Sequence, residues 1–153
     1  MIINSDYPDF LDWFYAQEPG LQTHPYAEQL SKRVATRFGI SDAYPHYLKA
    51  SGHEAEEFHI NNEPMQRMWC RENGIALRAA KQIRIRLRRH CLPWIYRAHA
   101  QDDGWMHAAL EAQIRFIRPD VLLNHDLSYP CARLGELKAR YGFRLVGQHA
   151  AMR

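Results

Sequence analysis

Apolar and polar residues alternate along this chain with two different periods, and together these periods predict a succession of strands and helices. Residues 1–4 predict a short buried strand. The clearest helix covers 104–117, and the apolar residues on its inner face are Met106, Leu110, Ile114 and Ile117. Pro119 ends that helix, because proline disfavours a helical conformation at the residue before it. The unbroken apolar run 121–123 is typical of a parallel strand that is covered on both faces.

Turn and cap residues divide the rest of the chain into further elements. Asn62 can cap a helix whose first turn holds Pro64. Gly39 is suited to end the helix that begins near Pro25. The predicted helices cover 10–15, 25–38, 42–49, 63–72 and 131–141, and further strands are predicted at 54–60 and 143–147. The apolar residues expected to face inward are Tyr26, Leu30, Val34 and Phe38 on the second helix and Tyr44, Tyr47 and Leu48 on the third.

The order of these elements predicts the fold class. Strands alternate with helices, which indicates an α/β fold with a short parallel sheet of about four strands. We therefore predict one Rossmann-like, three-layer domain covering 1–153. Residues 76–103 combine an arginine-rich, strand-like alternation with a helical segment, and we predict a helix and a basic connector there. Four strands are few for such a sheet, so we expect the chain to be cut short.

Composition narrows the class of protein further. Of the 153 residues, 46% are hydrophobic and 24% are charged, as in ordinary globular proteins. No apolar run approaches the ~20 residues that a membrane-spanning helix requires. The first residues contain neither a basic region nor the apolar core of a signal peptide, so we predict a cytoplasmic protein. The three cysteines are widely spaced, which argues against a disulfide framework and against a zinc site.

Positive charge is concentrated in one segment. The net charge is only +3, but 78–90 contain six lysines and arginines and no acid. Such a run can attract phosphates, although a solvated face or a basic linker is the commoner outcome. A basic domain that binds nucleic acid therefore remains an alternative, and we do not expect nucleic acid to be the partner.

Polar residues follow each predicted strand, where an open parallel sheet binds its ligands. The residues expected to contact substrate are Asp6, Tyr7, Asn61, Asn62, Asn124 and Gln148. His125 and Asp126 are the expected catalytic residues, since either side chain, like that of Asp6, can act as a general base on a hydroxyl group. The alternative for Asn61 and Asn62 is a structural role in a turn and a helix cap. Asp126 can likewise cap the helix that follows it.

Other kinds of site find little support in the spacing of residues. His53 and His59 are six residues apart and no HxxxH pair exists, so no metal site is expected. No GxSxG elbow surrounds a serine and no glycine-rich turn follows the first strand, so neither a serine nucleophile nor a dinucleotide cofactor is expected. The aromatic segment 10–15 can stack on a sugar ring, but a core or interdomain role is commoner at such spacing.

Several segments together resemble a bacterial group of glycosyltransferases. This is the GT-B type related to spore-maturation glycosyltransferases and to the glycosyltransferase group 1 proteins. No single segment is a well-known motif, so the resemblance depends on order and spacing. The segments that carry it are 6–11, 19–21, 26–30, 38–44, 48 with 52–55, 61–63 with 65, 66 and 69, 113–114, 118–124 and 146–148.

The resemblance implies a function for the chain as a whole. In such enzymes two Rossmann-like domains face each other across a cleft, and the N-terminal one usually binds the acceptor. The C-terminal domain holds the nucleotide-sugar donor, usually without a metal. The chain is then expected to be the acceptor-binding N-terminal half of a GT-B fold, with the donor domain absent and with no cofactor of its own. Expected partners are a sugar or glycan acceptor and either a donor-domain chain or a second copy of this chain. The alternative is a non-catalytic α/β module that binds a glycan or a protein.

Overall fold

The computed structural model describes residues 1–40, 42–77, 103–125 and 129–147. Strands and helices alternate within these ranges, as the hydrophobic pattern predicts. The four strands are β1 (Ile2–Asn4), β2 (Glu57–His59), β3 (Val121–Asn124) and β4 (Arg144–Gly147). The helices are α1 (Pro8–Gln17), α2 (Tyr26–Ala35), α3 (Ala43–Ala50), α4 (Glu63–Glu72), α5 (Gly104–Ile117) and α6 (Cys131–Tyr141), and a 3₁₀ turn covers Leu21–Thr23.

The four strands form one sheet in the order β2-β1-β3-β4, and every neighbouring pair is parallel. Ile3 of the inner strand β1 is in register with Phe58 on one side and with Asn124 on the other. The carboxyl ends of all four strands therefore lie at one edge of the sheet. This arrangement confirms the predicted α/β class and the Rossmann-like, three-layer architecture.

The buried apolar side chains form two separate clusters. The larger cluster joins Ile3, Phe58 and Leu122 of the strands to α4, α5 and α6. Its helical members include Leu110 and Ile114 of α5, each 1% exposed, which confirms the inner face predicted for that helix. The smaller cluster consists of Phe10, Phe14 and Leu21, from α1 and the 3₁₀ turn.

Local sequence signals account for where most helices begin and end. The Asn62 side chain accepts a hydrogen bond from the backbone N–H of Met65, so the predicted cap of α4 is confirmed. Gly142 has φ of +78° at the end of α6, a left-handed conformation that glycine adopts without steric cost. Arg118 takes a left-handed conformation at the end of α5, immediately before Pro119.

The most deeply buried side chains of α2 are polar. The apolar stripe predicted for that helix is therefore not its innermost face. Gln29 and Arg33 are its buried residues, whereas Phe38 lies beyond the end of the helix and is 37% exposed. Tyr26 packs on Phe58 of the larger cluster as predicted, whereas Gln29 and Arg33 meet polar groups, namely the hydroxyl of Tyr15 and the carboxylate of Asp6. On α3, Tyr47 is 69% exposed, so its predicted inward position is also wrong.

One half of the sheet is less covered than its apolar sequence predicts. Val121 and Val146 are 42% and 48% exposed, and β4 is the outermost strand. Leu123 is in register with Val146, so the side chains of Val121, Leu123 and Val146 lie on the same face of the sheet. The prediction that β3 is covered on both faces is therefore wrong, because the described helices leave this part of the sheet open.

Two further predictions can be compared with the described residues only. The helix and basic connector predicted over 76–103 lie almost wholly outside them, since 78–102 are not described. Among the helices that are described, none combines the length and the apolar character needed to cross a membrane.

Shortening a central core residue should destabilise the whole domain. We expect Leu110→Ala to lower the free energy of unfolding by about 2–5 kcal/mol, because it leaves a cavity against the sheet. Urea denaturation followed by circular dichroism measures this change. Arg115→Ala, on the exposed side of the same helix, should stay within about 0.5 kcal/mol of the original protein. Equal stability of the two variants would contradict this assignment of the core.

Candidate functional site

The carboxyl edge of the sheet collects most of the residues that the sequence marks as functional. Asp6 and Tyr7 follow β1, whereas Asn61 and Asn62 follow β2. Asn124 ends β3 and His125 comes directly after it. The parallel register brings these positions to one edge, as expected for an open sheet. The predicted positions Asp126 and Gln148 lie outside the described residues.

A buried ion pair lies at the end of β1. Oδ1 of Asp6 accepts hydrogen bonds from Nη2 and Nε of Arg33 at 2.6 and 3.2 Å. The Asp6 carboxylate is fully buried, and the Arg33 side chain is 3% exposed. Nδ1 of His59 is 3.3 Å from the same oxygen, close enough for an ionic contact when the imidazole is protonated. Because a buried charge is stable only with its partner, α2 is anchored to the strand ends at this point.

The surroundings of Asp6 favour its charged form. Burial by itself would raise the pKa of Asp6, but the interactions with His59 and Arg33 outweigh burial and hold the pKa below its usual range. Oδ2 of Asp6 and Nη1 of Arg33 have no hydrogen-bond partner among the described residues and are shielded from solvent. The geometry therefore shows a structural ion pair here, and substrate contact by Asp6 stays a prediction.

Asn61 ties the end of β2 to the end of β1. The backbone N–H of Asp6 donates to Oδ1 of Asn61 at 2.8 Å, and Nδ2 of Asn61 donates to the backbone oxygen of Asp6 at 2.7 Å. One amide side chain thus satisfies a donor and an acceptor of a neighbouring chain segment. This is the structural alternative that the sequence leaves open for Asn61.

Asn62 is also occupied within the protein. Its Oδ1 lies 2.6 Å from the hydroxyl of Tyr15, and that hydroxyl is 3.0 Å from Oε1 of Gln29. Burial raises the pKa of Tyr15, so the hydroxyl keeps its single proton, which the two oxygens share. Asn62 is 0% exposed and caps α4 at the same time. Its structural role is therefore observed, whereas substrate contact stays a prediction.

His125 is the more accessible of the candidates at β3. Its backbone N–H donates to the oxygen of Ile3 at 2.9 Å, which continues the pairing of β3 with β1. The imidazole is partly exposed, and its ring centre is 5.6 Å from that of Tyr44 in α3. Asn124, by contrast, is only 5% exposed. An imidazole at this edge can take a proton from a hydroxyl group that approaches it.

An open aromatic groove lies beside the start of α1. Its volume is about 420 Å³, and the residues that line it are Tyr7, Asp9, Phe10, Trp13, Thr36 and Phe38. Phe38 stacks flat on Phe10 with ring centres 4.1 Å apart, and Tyr7 stands edge-on to Phe38 at 6.0 Å. Tyr7 and Trp13 are 72% and 49% exposed, so the groove presents aromatic surface to solvent. Tyr7 is the one predicted site residue that lines it.

The buried ion pair and the aromatic groove are physically connected. The guanidinium of Arg33 lies 5.5 Å from the ring centre of Phe10, on which Phe38 is stacked. Sequence reasoning assigned no role to Arg33. A signal was present, because Gln29 and Arg33 are four residues apart and therefore share one face of α2. The apolar residues Leu30 and Val34, each next to one of them in the chain, obscured that signal.

Two other surface features are weaker candidates for a binding site. Glu18, His24 and Glu28 lie close enough together to hold a cation. Nζ of Lys32 already contacts Glu18 at 2.5 Å and Glu28 at 3.4 Å. The ammonium group of Lys32 therefore supplies the positive charge that a metal ion would bring to these carboxylates. A second groove of about 390 Å³ lies between the 3₁₀ turn and α4. Its lining includes Glu63 as well as Arg67, which are paired with each other at 2.6 Å.

The low pKa of Asp6 predicts a specific dependence of stability on pH. A carboxyl group with a depressed pKa in the folded state stabilises the protein above its ordinary pKa of about 4, and this stabilisation is lost as the pH falls through the folded value. At pH 7 we expect Asp6→Asn to be about 3–5 kcal/mol less stable, because Arg33 is left buried and unpaired. The difference should shrink when urea unfolding is repeated at pH 3.

Asp9→Asn serves as the matched control, because Asp9 is exposed and forms no ion pair with any described residue. It should change stability little at either pH. A deficit of Asp6→Asn that is the same at pH 7 and pH 3 would show that the ionisation of Asp6 contributes nothing to stability.

Comparison of this chain with protein-family models, with curated proteins and with solved structures gives no match.

Proposed function

We propose that this chain is the acceptor side of a glycosyl-transfer reaction. It binds a sugar or glycan acceptor, and the nucleotide-sugar donor is held by a second domain of the GT-B type, in the same polypeptide or in a partner chain. The observation that carries the proposal is the aromatic groove at the carboxyl end of β1, lined by Tyr7, Trp13 and Phe38. The cytoplasmic location expected from the sequence belongs to the same proposal.

The groove has the chemical character that a sugar ring requires. A pyranose presents C–H groups on its faces and hydroxyl groups around its rim, so it packs on aromatic faces while its rim stays hydrated or hydrogen-bonded. Trp13 and Phe38 offer such faces, and the Asp9 carboxylate and the Tyr7 hydroxyl lie at the border. The volume of about 420 Å³ is within the range of about 300–1,000 Å³ found for ligand pockets.

The position of the groove also fits an acceptor site. Tyr7 follows Asp6 at the end of β1, an inner strand, where Rossmann-like sheets bind their ligands. In the proposed reaction a general base takes the proton of an acceptor hydroxyl, and the oxygen attacks the anomeric carbon as the nucleoside diphosphate leaves. His125 is the base we favour among the described residues, because Asp6 is buried in its ion pair. Asp126, outside those residues, is the other candidate.

Removing an aromatic face should weaken sugar binding. We expect Trp13→Ala and Phe38→Ala each to reduce affinity for an oligosaccharide at least about fivefold, since an aromatic contact contributes roughly 0.5–1.5 kcal/mol beyond its buried area. Saturation-transfer NMR against a panel of oligosaccharides identifies a ligand, and titration calorimetry gives its dissociation constant.

Tyr47→Ala is the control for this experiment, because Tyr47 is 69% exposed but lies on α3 and does not line the groove. It should bind the sugar as the original protein does. Failure of the original protein to bind any sugar, or an equal loss in all three variants, would disprove the proposed role of the groove.

A second candidate function is protein binding through self-association, and the open half of the sheet favours it. β4 ends the sheet, so one side of its backbone has no partner strand among the described residues. Val121 and Val146 are exposed there, and apolar surface beside a free edge promotes pairing with another chain. A second copy of this chain, joined through β4, is the simplest such partner.

Self-association through β4 predicts that a charge on its exposed surface separates the copies. We expect Val146→Lys to shift a dimer to monomer in sedimentation velocity, because a lysine would be desolvated in a strand-to-strand interface. Tyr47→Lys introduces the same charge on α3 and should leave the dimer intact. A monomeric original protein at millimolar concentration would rule this candidate out.

A further inference from the structure

We infer that the aromatic groove selects a sugar that carries a protonated amine over a neutral sugar. This inference rests on the proposed function, because it concerns the ligand of the same groove. It follows from the one charged side chain in the lining, Asp9, and from the aromatic rings that surround it.

Asp9 is a carboxylate without a partner among the described residues. It is exposed, and it forms no hydrogen bond or ion pair with any described residue. A role in stabilising the amino end of α1 accounts for an acid at this position, and the carboxylate is at the same time accessible from solvent. The negative charge is therefore available to a ligand in the groove.

The aromatic residues beside Asp9 favour a cation as well. Asp9 and Trp13 are four residues apart on α1 and therefore share one face of that helix. An ammonium group placed there can pair with the carboxylate while it contacts the face of an aromatic ring, which attracts cations electrostatically. A neutral hydroxyl at the same position is attracted less strongly, both by the carboxylate and by the aromatic ring.

The positive charges nearest the groove do not cancel this preference. Arg33 lies under Phe10, but its charge is compensated by Asp6. Arg37 precedes Phe38 in the chain, is exposed and does not line the groove. α1 itself contains two acids and no lysine, arginine or histidine. Among the described residues, Asp9 is therefore the one charged side chain that lines the groove.

The size of the preference can be bounded from general magnitudes. An exposed ion pair and an exposed cation–π contact are each weak, so together they correspond to a difference in affinity of roughly five- to twentyfold. Because the carboxylate is exposed to solvent, added salt should reduce this difference. Binding of the neutral sugar, which depends on the aromatic faces, should change little with salt.

The test compares three methyl glycosides that differ at one position, namely methyl glucoside, methyl glucosaminide and methyl N-acetylglucosaminide. Titration calorimetry at pH 6, where the free amine is protonated, gives the three dissociation constants for the full chain. We expect the glucosaminide to bind about five- to twentyfold more tightly than the two neutral glycosides. In Asp9→Asn the three constants should become equal.

Asp12→Asn is the matched control, because it removes the other acid of α1 but does not alter the lining of the groove. It should keep the preference, and circular dichroism shows whether both variants retain the fold. Equal binding of all three glycosides to the original protein would overturn this inference while the proposed function stands, and so would a preference that survives in Asp9→Asn. Absence of binding of every glycoside and oligosaccharide would overturn the proposed function itself.

Discussion

The carboxylate of Asp6 sets the arrangement of the elements around it, because it is buried and charged. Arg33 lies 2.6 Å away and His59 lies 3.3 Å away, and neither side chain has more than a few per cent of its surface exposed. Removing one partner of such a pair leaves the other charge without compensation in the interior. α2 therefore cannot rotate or slide without breaking the pair, and this constraint fixes the helix against the ends of β1 and β2.

The same constraint extends from the interior to the surface. Arg33 supports the ring of Phe10, and Phe10 carries Phe38, so the aromatic groove is attached to the strand ends through three successive contacts. Asn61 holds the segment that leads from Asp6 to Tyr7 by two hydrogen bonds. A groove that is positioned in this way loses little conformational freedom when a ligand binds, and preorganisation of this kind favours affinity.

Much of the fold could be predicted from the sequence, because the relevant signals are local. The bounds of α5 and α6, and the cap at Asn62, follow from periodicity and from single residues that start or stop a helix. The site was predicted less well. The strand order predicted its positions at the carboxyl edge. Arg33 was missed because burial is predicted from the pattern of apolar residues, and a buried arginine does not contribute to that pattern. The partner of Asp6 is 27 residues away, and nothing local connects the two.

The sequence by itself determined which segments are strands or helices, and through their alternation it determined the parallel α/β sheet. Only the tertiary structure decided which polar groups are buried and which aromatic rings are exposed. Asp6 meets Asn61 across 55 residues, and Tyr15 meets Asn62 across 47. Such contacts depend on how the connections cross the sheet, and a periodicity of two or 3.6 residues contains no information about them. That is why Tyr7 and Phe38 form one wall of a groove, although 31 positions separate them in the chain.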